Sequence, residues 1–115
     1  MPIPFPIIVL TSQLVIAVAD NVPQFNIERG CRVDSASAFD PKAGMNATIK
    51  RCVDDEQQAK DQLQTQWSGF ASSDRAMCTS ETVGLRSDES STPPSYVELL
   101  TRLQDQQLAR KLRNE

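Results

Sequence analysis

The apolar positions of residues 45–70, MNATIKRCVDDEQQAKDQLQTQWSGF, recur every three or four residues. Met45, Ile49, Cys52, Val53, Ala59, Leu63, Trp67 and Phe70 fall along one side of a helix, and Lys, Asp and Gln fill the other. Alternation with period two is absent, so the pattern predicts an amphipathic helix rather than a strand. As one continuous helix the stretch would be about 39 Å long. Glu56 alone interrupts the apolar stripe. The helix is too polar to span a membrane, so its stripe must pack on other helices.

The flanking patterns are shorter. Phe25 to Ala36, FNIERGCRVDSA, predicts a short helix weakened by Gly30. Ser35 to Gly44 reads as a loop. Within it, Asp40 followed by Pro41 has the form of an N-cap with Pro at the first helical position, which offers Pro41 as an alternative start of the long helix. After a break at Ala71-Ser72-Ser73, where either serine can cap, DRAMCTSET predicts another short helix carrying Met77 and Cys78. Residues 83–94, VGLRSDESSTPP, lack periodicity and read as a mobile surface linker. Ser95-Tyr96-Val97-Glu98 is a capping box. It opens SYVELLTRLQDQQLARKL, whose Tyr96, Val97, Leu99, Leu100 and Leu103 form a compact apolar face. Gln104, Gln107 and Lys111 then occupy that face, so packing is expected to end near Leu103. Arg110, Lys111 and Arg113 suit the negative pole of the helix. Leu108 and Leu112, if exposed, would offer a face to a helical partner or a second copy.

Ahead of these helices, residues 1–19 carry no charged side chain. Ile7 to Leu10 and Leu14 to Val18 form an apolar segment interrupted by Thr11, Ser12 and Gln13. Ala17-Val18-Ala19 is an A-x-A site followed by Asp20. The segment reads as a secretory signal peptide cut between Ala19 and Asp20. It departs from the usual pattern in having no Lys or Arg before Arg29, and an uncleaved anchor and a mis-called start codon are the other readings. The uninterrupted apolar run is shorter than the ~20 residues of a spanning helix, so no stable membrane span is expected after cleavage. The expected location is periplasmic or secreted.

Composition narrows the chemistry. The 115 residues bound the chain to one domain, and the net charge of −3 gives no electrostatic footprint for nucleic acid. There is no histidine, which removes the usual general base and the commonest metal ligand. No cofactor and no metal is expected. A mature chain this small has a limited core and commonly needs a covalent staple outside the cell.

The three cysteines are Cys31, Cys52 and Cys78, with no C-x-x-C among them. In an exported protein they read as one disulfide and one odd thiol. Cys31–Cys52 would pin the first short helix to the long one, and closing a loop of about 20 residues is worth ~3 kcal/mol in the chain-entropy model. Cys52–Cys78 competes, because a helical hairpin brings those two together as well. The odd cysteine is either a buried thiol beside Met77 or the route to a covalent homodimer through Cys78.

Asp54, Asp55, Glu56 and Asp61 form an acidic group on the long helix. They read as a solvated face with Glu56–Lys60 as an i,i+4 pair; a carboxylate enzyme is the third-ranked function. A calcium loop is missing its glycine and spacing. Ser72, Ser73, Ser90 and Ser91 have no histidine partner for nucleophilic work. Trp67 and Phe70 read as core. Asn46-Ala47-Thr48 is an N-x-T sequon, relevant only in a eukaryotic host.

The order of apolar leader, Cys31, IKRCVDDEQQAKDQLQTQW, DRAMC and PPSYVELLTRLQ resembles a group of small exported alphaproteobacterial, rhizobial-type proteins without an assigned function. The most specific parts are C-x-x-D-E-Q-x-A from Cys52 to Ala59 and P-S-Y-V-E-L-L-T from Pro94 to Thr101. The resemblance implies a fourth cysteine where this chain has Arg102. Cys78 would then have lost its partner, and Cys31–Cys52 would be the pair retained. A second resemblance, over about one helix, is to the periplasmic lysozyme-inhibitor family typified by LprI. Ala59-Lys60 and Leu63-Gln64-Thr65-Gln66-Trp67 echo its A-D-x-x-L-N-x-x-Y pattern, with Lys for Asp, Gln for Asn and Trp for Tyr.

The expectation is an all-α fold: a small disulfide-stapled helical domain with one long central helix, following a signal peptide. Its expected role is non-enzymatic, as a periplasmic interaction or envelope-accessory protein with an unidentified protein partner. Inhibition of a lysozyme-like hydrolase is the alternative.

Overall fold

The computed structural model describes residues 21–37, 41–42, 44–84 and 93–114. The leader, its Ala19–Asp20 junction, Asp40, Ser90 and Ser91 lie outside them. Every regular element among the described residues is helical: α1 (Ile27–Ser37), α2 (Met45–Gln66), a 3-10 turn (Trp67–Gly69), α3 (Ser72–Gly84) and α4 (Tyr96–Asn114). The all-α domain with one long central helix is therefore the observed fold.

Local chemistry sets the boundaries. α1 begins two residues later than the pattern suggests, because Asn26 is its cap: the Arg29 N–H donates to Asn26 Oδ1 at 3.0 Å. Phe25 stays outside the helix. α2 begins at Met45, not Pro41. Gly44 precedes it with φ +86°, a left-handed conformation suited to glycine. Thr48 donates both its N–H (3.1 Å) and its hydroxyl (2.9 Å) to the Gly44 carbonyl. At the other end, α2 tightens into the 3-10 turn and Phe70 leaves in extended conformation, its N–H bonded to the Trp67 carbonyl at 3.2 Å. α3 is longer than DRAMCTSET. It takes in Ser72 and Ser73 rather than using either as a cap, with the first backbone bond returning to Ala71. It also runs through Val83 and Gly84, the first residues of the expected linker; residues 85–92 lie outside the described set.

Pairwise contacts give the directions. α2 packs on α1 and α4, and α3 packs on α4. α2 and α4 run in the same direction, since Glu56 meets Ser95 and Tyr96 while Gln62 lies beside Leu100 and Thr101. α3 runs opposite to α4, with Asp74 meeting Arg110 and Glu81 meeting Arg102. The core unites Ala59, Leu63, Trp67 and Phe70 with Cys78 of α3 and Tyr96, Leu99, Leu100 and Leu103 of α4. Val22, Phe25 and Ile27 pack against its edge. The predicted apolar stripe of α2 is thus buried mainly in its second half; Met45 is exposed and Ile49 half-buried. Trp67 and Phe70 are core residues, as read from the pattern.

Cys31 and Cys52 form a disulfide, with their Cα atoms 5.6 Å apart. It joins α1 to α2 and settles the choice against Cys52–Cys78. Cys78 is a free thiol. Among the described residues no helix is long and apolar enough to cross a membrane.

Candidate functional site

The residue that breaks the apolar stripe of α2 joins that helix to the start of α4. Glu56 is 8% exposed and points at the first turn of α4. A helix start leaves its leading N–H groups without partners and concentrates partial positive charge there, so a carboxylate is stabilised. The Tyr96 N–H donates to Glu56 Oε1 at 2.7 Å, the Val97 N–H to Oε2 at 3.3 Å, and the Ser95 hydroxyl to Oε2 at 2.5 Å. Ser95 Oγ also accepts from the Glu98 N–H at 3.3 Å, which is half of the predicted capping box. Glu98 also pairs with Arg102 at 3.2 Å, and Glu56, from another helix, takes the next two N–H groups, those of Tyr96 and Val97. Glu56 therefore does not belong to a solvated face. Its i,i+4 spacing to Lys60 is used differently as well, because the Lys60 ammonium sits 5.7 Å from the centre of the Tyr96 ring.

Tyr96 extends this junction to the N-terminal segment. Its hydroxyl donates to the Pro23 carbonyl at 2.9 Å and accepts from the Phe25 N–H at 2.8 Å. Its ring lies 4.7 Å from that of Phe25, centre to centre. Pro93, buried, approaches Gly30 of α1. One crevice is thus bordered by the disulfide, Glu56 and Pro93, and its volume is about 10 Å³. That is room for a single water, not for a substrate. Glu56 is held by hydrogen bonds on both oxygens. What the arrangement does chemically is fix a helix start.

The remaining acidic residues separate from Glu56. Asp54, Asp55 and Asp61 are exposed. Asp54 pairs with Lys50 at 3.1 Å, and Asp61 accepts from Gln57 at 3.1 Å. No group of three or more His, Cys, Asp or Glu that could hold a metal occurs among the described residues.

A second carboxylate junction, unforeseen from the sequence, joins α3 to α4. Asp74 is buried in the first turn of α3 and takes a two-pronged contact from Arg110: Nε to Oδ2 at 2.6 Å and Nη2 to Oδ1 at 3.0 Å. Arg110 Nη2 also reaches Ser73 Oγ at 3.0 Å. The hydrogen bond from Arg110 holds the Asp74 carboxyl below its ordinary value, against a smaller opposing effect of burial. The α4 tail is therefore anchored beyond Leu103, its last buried residue. Helical spacing carried the hint, since Arg110 lies two turns after Leu103 on the same side.

Cys78 is 1% exposed. Burial, then Glu81 and Asp74, push its thiol upward, which keeps it protonated and unreactive at neutral pH. Its neighbour Met77 is exposed, so the two side chains point apart. Larger open depressions exist, one of about 490 Å³ between residues 21–24 and Arg75, Ala76, Thr79 and Ser80 of α3. Its lining contains neither a carboxylate nor a thiol. No family model matches the chain, and no curated protein or solved structure matches it either.

Proposed function

We propose that this chain is a non-enzymatic exported protein, an interaction or accessory module of the bacterial envelope with a protein partner. The observation that carries this reading is the Cys31–Cys52 disulfide. Disulfides persist in oxidising compartments, and small exported domains use them where the core is limited. The apolar leader with its Ala17-Val18-Ala19 site points the same way. The best-placed polar groups, Glu56 and the Asp74–Arg110 pair, join helices to one another, which suits a scaffold for surface recognition.

Intact mass of the protein recovered from the periplasm tests this, with and without reductant and alkylation. The expected species starts at Asp20, is two hydrogens lighter than the reduced chain, and gains one alkyl group only after unfolding. A species retaining Met1 with three alkylatable thiols would overturn export.

The exposed Asp54, Asp55 and Asp61 favour one particular partner class as a second reading: a basic, lysozyme-like hydrolase. Stoichiometric inhibition of such an enzyme, lost in a triple Asp→Asn variant, is the expected result. Full hydrolase activity at saturating protein would exclude it.

A further inference from the structure

α4 has a second face that the fold leaves open. Val97, Thr101, Gln104, Leu108 and Leu112 follow one another at intervals of four, three, four and four, so they line one side of the helix. All five are exposed; Val97 is 42%, Leu108 56% and Leu112 64% exposed. At the N-terminal end this stripe becomes one wall of an open groove of about 270 Å³. Buried Ala59 and Leu100 floor the groove, and Asp55 stands on its α2 side. At the C-terminal end the stripe carries Lys111, which is exposed. No ion pair joins Asp55 or Lys111 to another described residue.

We infer that a second copy of this chain covers that face. The two α4 helices pair antiparallel about a two-fold axis between Gln104 and Asp105. The spacing fits that symmetry: residues 97 and 112 are equidistant from the axis, as are 101 and 108. Leu112 thus enters the groove at Val97 of the partner subunit, and Leu108 covers Thr101 of the partner subunit. Each apolar end meets an apolar floor, and both grooves are filled at once. Charge selects the direction. Antiparallel packing brings Lys111 to the groove wall that carries Asp55 of the partner subunit, whereas parallel packing in register sets Lys111 against its own copy. The contact is isologous and closes at two subunits, so it does not propagate into filaments. It is also non-covalent, and Cys78, buried on the α3 side, takes no part.

Sedimentation equilibrium of the purified full chain over a wide concentration range tests the inference. A concentration-dependent dimer is expected. Leu112→Glu and Leu108→Glu should each weaken it at least about tenfold, since a charge would be buried against apolar groups. Both residues are exposed in the single chain, so far-UV circular dichroism and melting should hold. Lys111→Glu should weaken the dimer less, and adding Asp55→Lys should restore it. Register is read by oxidising a mixture of Thr101→Cys and Leu108→Cys chains, which should cross-link to each other and not to themselves. A chain that stays monomeric throughout, or a Leu112→Glu dimer as tight as the original, overturns the inference. Self-cross-linking of the single variants without mixed product does so too.

Discussion

The two ends of α4 are held by the same chemical group in different ways. At the start, the buried Glu56 carboxylate receives backbone N–H groups and the Ser95 hydroxyl. Towards the end, the Asp74 carboxylate receives the Arg110 side chain, which reaches across partly exposed surface. A backbone donor cannot move without moving the helix, so Glu56 sets both the position and the first residue of α4. A guanidinium sits on a flexible stem and can follow small shifts. Both carboxylates are buried, but the Glu56 donors include the backbone of the core residue Tyr96, whereas the Arg110 side chain is 42% exposed and lies beyond Leu103, where the apolar face has ended. The same interaction type should therefore matter much more at one end than at the other.

Replacing Glu56 gives the largest expected effect. Glu56→Ala removes the acceptor for Tyr96 and Val97 and leaves buried groups unpaired, at a cost of about 3–4 kcal/mol. Glu56→Gln retains one acceptor oxygen and should lose roughly half as much. Urea unfolding of the two variants checks this, and a Glu56→Ala cost within that of a surface change would break the comparison. Next comes the disulfide. Cys31→Ser with Cys52→Ser should cost about 3 kcal/mol, with loss of amide protection concentrated in α1, because α1 packs chiefly on α2. Tyr96→Phe is smaller. It keeps the ring in the core but strands the Pro23 carbonyl and the Phe25 N–H, at about 1 kcal/mol. Exchange in residues 22–26 should rise while α4 stays protected.

Much of this architecture was legible in the residue pattern, and the part that was not has a physical cause. The helices of residues 45–66 and 96–114 follow from apolar spacing, because one buried face per helix is what periodicity encodes. Trp67, Phe70 and Leu103 fell in the core for that reason. The Cys31–Cys52 pairing was one of two options, decided only when α1 lies along α2. Glu56 was misread because a charge on an apolar stripe looks like a defect. Its partners are backbone groups some 40 residues away, and backbone donors leave no mark in a sequence. Asp74 and Arg110 posed the same difficulty at a separation of 36 residues. A polar residue placed where an apolar one is due was the available signal in both cases, at Glu56 in α2 and at Arg110 in α4.

The smallest effect is expected from the outer junction, and pH isolates it. Arg110 holds the Asp74 carboxyl below its ordinary value of 3.8. Near that value the unfolded chain therefore binds more protons at this position than the folded one. The stabilisation is complete above the unfolded value and disappears as pH falls through the lower, folded one. Asp74→Asn cannot titrate, so the stability difference between it and the unaltered protein should be constant from neutral pH down to about pH 5 and shrink towards about pH 2. Added salt should reduce the difference as well, because one partner is partly exposed. Chemical unfolding at a series of pH values measures it directly. A difference that persists undiminished at the acid end would mean that the charge on Asp74 contributes nothing through Arg110, and the kind of donor would then not account for the contrast between the two ends of α4.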